Sequence, residues 1–176
     1  RNKINIIHVD LKKTINKKIN SKLSKKYIEK SFEIAFKLLK DRFTDKMING
    51  PINKQKFLNK KYLGVTEYIA SKFNQKKFGM LIYNEELSVC PLTTHLPLKL
   101  VAKKISKRLI EEKIIIINSF FKKYLGYKPK IGVTGLNPHC ESVLKFNEDI
   151  KLVSLAVKSS LKRKINVKGP IPADTI

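Results

Sequence analysis

The stretch from Ser106 to Leu125 constrains the fold most. Ile110, Ile114, Ile117, Phe121 and Tyr124 recur at steps of four, three, four and three, which puts them on one face of an amphipathic helix. Gly126 follows, suited to the left-handed position just past a helix end. Pro129 to Leu136 then reads as a strand, Asn147 to Lys164 as a second helix and Ile165 to Lys168 as a last strand. Strands alternating with long helices predict an α/β fold with a mostly parallel sheet and flanking helices.

The upstream half carries the same alternation. Lys3 to Val9 is short, apolar and β-branched, so a strand is expected, followed by a lysine-rich connector. Ser21 to Lys40 carries Leu23, Tyr27, Ser31, Ile34 and Leu38, a helical stripe with its lysines outward. Asp45 to Asn49 reads as a short strand closed by the Gly50-Pro51 turn. A short helix is expected over Asn53 to Leu58, and Thr66 suits the N-cap of the next, with Glu67 in its first turn. Phe78 to Tyr83 and Leu87 to Leu92 read as strands joined by a hairpin at Asn84-Glu85-Glu86. There is no internal repeat.

A length of 176 residues suffices for one full core, so one domain is expected, with room for two lobes. With 42% hydrophobic and 30% charged residues the chain reads as globular. Its longest apolar run, Ile114 to Ile117, is far too short to cross a bilayer, and no secretory leader is visible. Two widely spaced cysteines, Cys90 and Cys140, form neither a disulfide framework nor a zinc-knuckle spacing. A cytoplasmic location is the expectation. The chain begins at Arg1 and stops at Ile176 just past a turn, as a piece of a longer protein would.

The net charge of +24 invites a nucleic-acid reading. Against it, lysines are scattered over every segment, arginine forks are few, and no helix-turn-helix or RNP-type signature is present. A lysine-, isoleucine- and asparagine-rich composition explains the charge without a polyanion partner. Nucleic acid and membrane are therefore not the expected partners.

Two of the three histidines occupy polar turns. His95 stands in PLTTHLPL, where Pro97 turns the chain just after the imidazole and Thr93 and Thr94 offer hydroxyls. His139 stands in GLNPHCES, after a strand, with Asn137-Pro138 starting a turn and Gly135 allowing close backbone approach. Either histidine alone is more often a surface or capping residue. Together at strand ends they point to a shared divalent-metal site, although zinc normally wants three protein ligands. His8, inside the first strand, reads as structural. Lys54, in NGPINK, could hold a phosphate or carboxylate, though any loop of so lysine-rich a chain contains such a residue. Asp174, in PADT, could orient a ligating group, accept a proton, or cap a helix.

The order GPINK, G-x-T-E, TTHLPL, GLNPH and GP-x-PADT, from about Ile48 to Thr175, resembles the 4-hydroxythreonine-4-phosphate dehydrogenase (PdxA) family. TTHLPL with GLNPH carries most of that likeness. The resemblance implies an isocitrate/isopropylmalate dehydrogenase-like fold, incomplete at both ends. Residues 1–176 would be a single α/β piece, lacking the N-terminal region and the C-terminal segment with the third metal histidine and most cofactor contacts. It implies NAD- or NADP-dependent oxidation of the C3 hydroxyl of 4-(phosphooxy)-L-threonine, or a related phosphorylated hydroxy acid. Decarboxylation to 3-amino-2-oxopropyl phosphate follows, in pyridoxal phosphate (vitamin B6) biosynthesis. A divalent metal (Zn, Mg or Co) polarises the hydroxyl. By motif, His95 and His139 match metal ligands, Thr66 and Lys54 match substrate-binding residues, and Asp174 matches a catalytic position. Family members are homodimers and lack the GxGxxG fingerprint. The family's G-H-T-E histidine is Val65 here, and its NPHAGE continues as Cys140, Glu141 and Ser142. The former puts the exact substrate in doubt. The isolated piece is expected to be inactive. A basic nucleic-acid-associated module, or a relative that keeps the fold without the catalysis, are the alternatives.

Overall fold

The computed structural model describes residues 3–10, 21–59, 61–141 and 146–175, and its chain divides into two compact units, Arg1–Asn74 and Gln75–Ile176. The lysine-rich connector (11–20) and Ser142 lie outside the described residues.

The first unit is helical. The expected long helix forms as α1 (Ser21–Lys40), and the short one as α2 (Lys54–Leu58), capped by Asn53, whose side chain accepts from the Lys56 N–H. Then comes α3 (Val65–Lys72). Phe32 and Phe36 of α1, Phe57 and Leu58 of α2 and Tyr68 of α3 form the core, with Val65 packed against it. Phe32 stacks on Phe57 at 5.4 Å and meets Tyr68 edge-on at 5.5 Å, geometries that favour aromatic pairs beyond their buried area.

Three expectations are corrected in this unit. Lys3 to Val9 and Asp45 to Asn49 form no strands. Strand preference measures fit against neighbouring strands, and among the described residues neither run has one; Ile4 and Ile6 are largely exposed. Thr66 is not an N-cap. Gly64 takes that place and Val65 opens the helix, because starting there turns Val65 and Tyr68 into the core.

The second unit holds α4 (Leu98–Lys104), α5 (Lys107–Phe120), β1 (Ile131–Thr134), α6 (Leu155–Lys162) and β2 (Val167–Ile171). Ser106 caps α5 by accepting from the Leu109 N–H, and a π turn, Phe121–Leu125, carries the helix to Gly126, whose φ of 78° is the left-handed conformation anticipated. A π-helical turn, Asp149–Ser154, likewise leads into α6. Pro97 starts α4, which sequence periodicity missed. The expected hairpin shrinks to one antiparallel bridge, Ile82 to Val89, its turn held by Asn84 and Ser88.

β1 and β2 pair in parallel, joined by the helix between them, so the fold class is α/β as expected. Ile131 aligns with Val167 and Gly132 with Lys168, and an irregularity then brings Thr134 opposite Ile171. β2 begins and ends later than the sequence suggested, running through Gly169 and Pro170. Gly169 (φ 148°) makes this possible, since a Cβ there would lie 2.6 Å from the Val133 carbonyl oxygen. Ile110, Ile114, Val153, Ala156, Val157, Ile165 and Val167 form the core, covering the sheet with the two long helices. Among the described residues no helix is long and apolar enough to cross a membrane.

Candidate functional site

Parallel pairing puts the carboxyl ends of β1 and β2 at one edge, and both strands run there into short polar turns. Beyond β1, Pro138–Cys140 form a single 3-10 turn in which His139 adopts φ 54°, ψ 15° and Cys140 φ 60°. Two consecutive left-handed residues other than glycine are costly, so something must hold them. Beyond β2 lies Asp174, in a turn closed by the Thr175 N–H on the Pro172 carbonyl. The His139 Nδ1 and Asp174 Oδ2 stand 3.6 Å apart, both side chains more than half exposed. That is an electrostatic pairing, long for a hydrogen bond. Two motifs 35 residues apart are thus brought together, whereas the strand-end reading pairs His139 with His95.

Asp149 holds the turn. Its carboxylate is completely buried. Oδ1 accepts from the Leu136 N–H at 2.7 Å, while Oδ2 accepts from the Asn137 N–H and side-chain amide, each at 3.0 Å. Two residues earlier, Asn147 caps the helix start by accepting from the Asp149 and Ile150 N–H groups, and its amide donates to the Cys140 carbonyl. Gly135 completes the cradle: a Cβ there would lie 2.5 Å from the Cys140 Sγ and 3.3 Å from the Asp149 Oδ1. Partial burial pushes the Cys140 thiol up from its ordinary pKa, and the Asp149 carboxylate adds to that. The sequence reading missed Asp149. The available signal was Asn-Glu-Asp opening a helix, a capping residue followed by acids in the first turn.

His95 is exposed in the turn before Pro97, with φ 55°. It follows the Ile82–Val89 bridge and not a strand of the β1–β2 sheet, so the picture of two histidines on one sheet holds for His139 alone. Lys54 and Thr66 belong to the first unit. Lys54 is exposed at the start of α2, and Thr66 is half-buried in the first turn of α3. A polar cleft in that unit, walled by Glu29, Glu33, Tyr62 and Tyr68, includes neither of them. Burial, and next the Glu29 carboxylate, push the Tyr68 hydroxyl up.

The donors suit a borderline divalent ion: exposed imidazoles, one beside a carboxylate able to fix its tautomer. Among the described residues no group of three or more His, Cys, Asp or Glu side chains converges to hold a metal.

A family model described as "Pyridoxal phosphate biosynthetic protein PdxA" matches residues 1–176. The 4-hydroxythreonine-4-phosphate dehydrogenase of Hydrogenobaculum is 39% identical over 137 residues, covering 74% of this chain and 43% of that protein. The D-threonate 4-phosphate dehydrogenase of Pectobacterium atrosepticum is 33% identical over 129 residues, covering 72% and 40%. Among solved structures, the 4-hydroxythreonine-4-phosphate dehydrogenase of Klebsiella pneumoniae superposes with a TM-score of 0.73 at 29% identity, covering 89% of this chain and 48% of that one. The chain spans less than half the length of the relatives it matches.

Proposed function

Because this chain belongs to the PdxA family of pyridoxal phosphate biosynthetic proteins, we propose that it contributes part of the active site of an NAD(P)- and divalent-metal-dependent dehydrogenase. The substrate is a phosphorylated hydroxy acid, 4-(phosphooxy)-L-threonine or a relative such as a threonate phosphate, oxidised with loss of carbon dioxide. The observation that carries the reading is the pairing of His139 with Asp174 at the carboxyl edge of the parallel strands. For the full-length protein we propose an isocitrate/isopropylmalate dehydrogenase-like architecture, consistent with the parallel β1–β2 pair joined through α6.

His139 and His95 would hold the metal, with a third ligand from the rest of the protein. When bound, the ion polarises the substrate hydroxyl and the nicotinamide takes the hydride. Asp174, beside the His139 Nδ1, would orient the imidazole and is the candidate acceptor for the hydroxyl proton. Lys54 and Thr66 bind the phosphate or carboxylate end. Val65, packed in the apolar core, supplies no polar contact where the family has histidine, which shifts preference among related substrates. Homodimerisation and a cytoplasmic setting accompany this reading.

The test is nicotinamide reduction by the full-length protein with 4-(phosphooxy)-L-threonine and D-threonate 4-phosphate in parallel. Turnover of one of them, abolished by chelator and by His139→Ala, is the expected result. A folded full-length protein reducing no dinucleotide with either substrate overturns the reading.

A further inference from the structure

We infer that Asp149 is a positioning residue, fixing the backbone of the His139 turn and thereby the direction of its imidazole. In its catalytic meaning this deepens the dehydrogenase reading and rests on it; the clamp itself does not. Among the described residues, every hydrogen bond on the Asp149 carboxylate comes from Leu136 or Asn137, the two residues ahead of Pro138-His139. On the far side, Asn147 binds the Cys140 carbonyl from the same helix start. The turn is thus tied down on both flanks of His139, the residue whose left-handed backbone needs holding. A buried carboxylate is costly unless fully satisfied, so its three donors cannot drift apart without loss. Gly135 leaves the space the arrangement requires. Among the described residues Asp149 makes no hydrogen bond or ion pair with the imidazole, and its influence runs through main chain.

In the full-length protein, His8 and His95 serve as internal controls for His139. Proton–nitrogen NMR of the imidazoles is recorded without metal on the unaltered protein, Asp149→Asn and the milder Asn137→Ala. Asn137→Ala leaves both main-chain bonds to Asp149 in place, so it keeps the variant set usable should Asp149→Asn fail to fold. The expected result is that the His139 signals move and broaden in both variants, more in Asp149→Asn, while those of His8 and His95 stay put. His139 signals unmoved in folded variants, or all three rings shifting together, overturn the inference. A Co2+ titration then separates this claim from the dehydrogenase reading. Co2+ should perturb His95 and His139 in the unaltered protein, and His139 should need about 10- to 100-fold more ion in Asp149→Asn. If Co2+ perturbs neither ring, the metal assignment falls, while the metal-free spectra still decide for or against the clamp.

Discussion

Replacing Gly135 by alanine pushes a methyl group into the most crowded point of the candidate site. Its Cβ would stand 2.5 Å from the Cys140 Sγ, about 1 Å inside an ordinary nonbonded separation, and 3.3 Å from the Asp149 Oδ1. Cys140 has a single rotatable bond and a left-handed backbone, so it cannot swing clear without moving the turn. Overpacking of this kind costs about 1–3 kcal/mol, and roughly 2 kcal/mol is expected here. For a unit of this size that lowers the melting temperature by roughly 10 °C. The cause can be isolated, because Cys140→Ala removes the clashing atom. Thermal unfolding followed by circular dichroism on both single variants and the double should show a coupling of about 1–2 kcal/mol. Recovery should stop short of complete, since the Asp149 oxygen remains close. If Gly135→Ala melts with the parent, or loses as much stability with Cys140→Ala present as without it, the packing account is wrong.

Two further outcomes test other parts of the second unit. Ser160 is buried in α6 and its hydroxyl has no hydrogen-bond partner among the described residues, so Ser160→Ala should stabilise by about 1 kcal/mol; a lower melting temperature would refute this. The Cys140 and Cys90 thiols are both pushed up, by burial first in each case, so their alkylation by iodoacetamide should show a pH midpoint above that of a free thiol. The fold favours their protonated form. Their contribution to stability is therefore complete below the unfolded thiol pKa, about 8.5, and disappears as pH rises through the higher folded values. Alkylation rates indistinguishable from those of a small thiol would remove the basis for that.

Periodicity made the long helices legible as helices, but not the buried face of α1. Ile28, Phe32, Phe36 and Leu39 turn inward there, about one position along from the expected stripe, whose Tyr27 is exposed. Along α5 and its π turn, Ile110, Ile114 and Phe121 are buried while Tyr124 is exposed. Turn chemistry marked Gly126, whose own φ of 78° suits glycine, and Gly135, whose neighbours leave no room for a Cβ. The strands were harder. A β-branched run such as Lys3 to Val9 states a preference, but a ladder needs a partner, and pairing is not written in the run itself. Of the candidate site, the motifs singled out His139 and Asp174, which the fold brings within 3.6 Å, whereas Asp149 looked like any acid at a helix start. Its meaning comes from the backbone it faces, which only folding brings within reach.

The sheet in the second unit is only two strands wide. Each strand thus keeps a flank whose main-chain groups have no further ladder among the described residues, and such flanks are sticky toward their own kind. Lys130 and Lys168, at and beside those flanks, belong to a surplus of positive charge that makes neighbouring copies repel. That repulsion reaches about 10 Å in 0.1 M salt and only about 3 Å in 1 M salt. The lysine-heavy composition therefore adds a repulsion between copies that is weakest in brine.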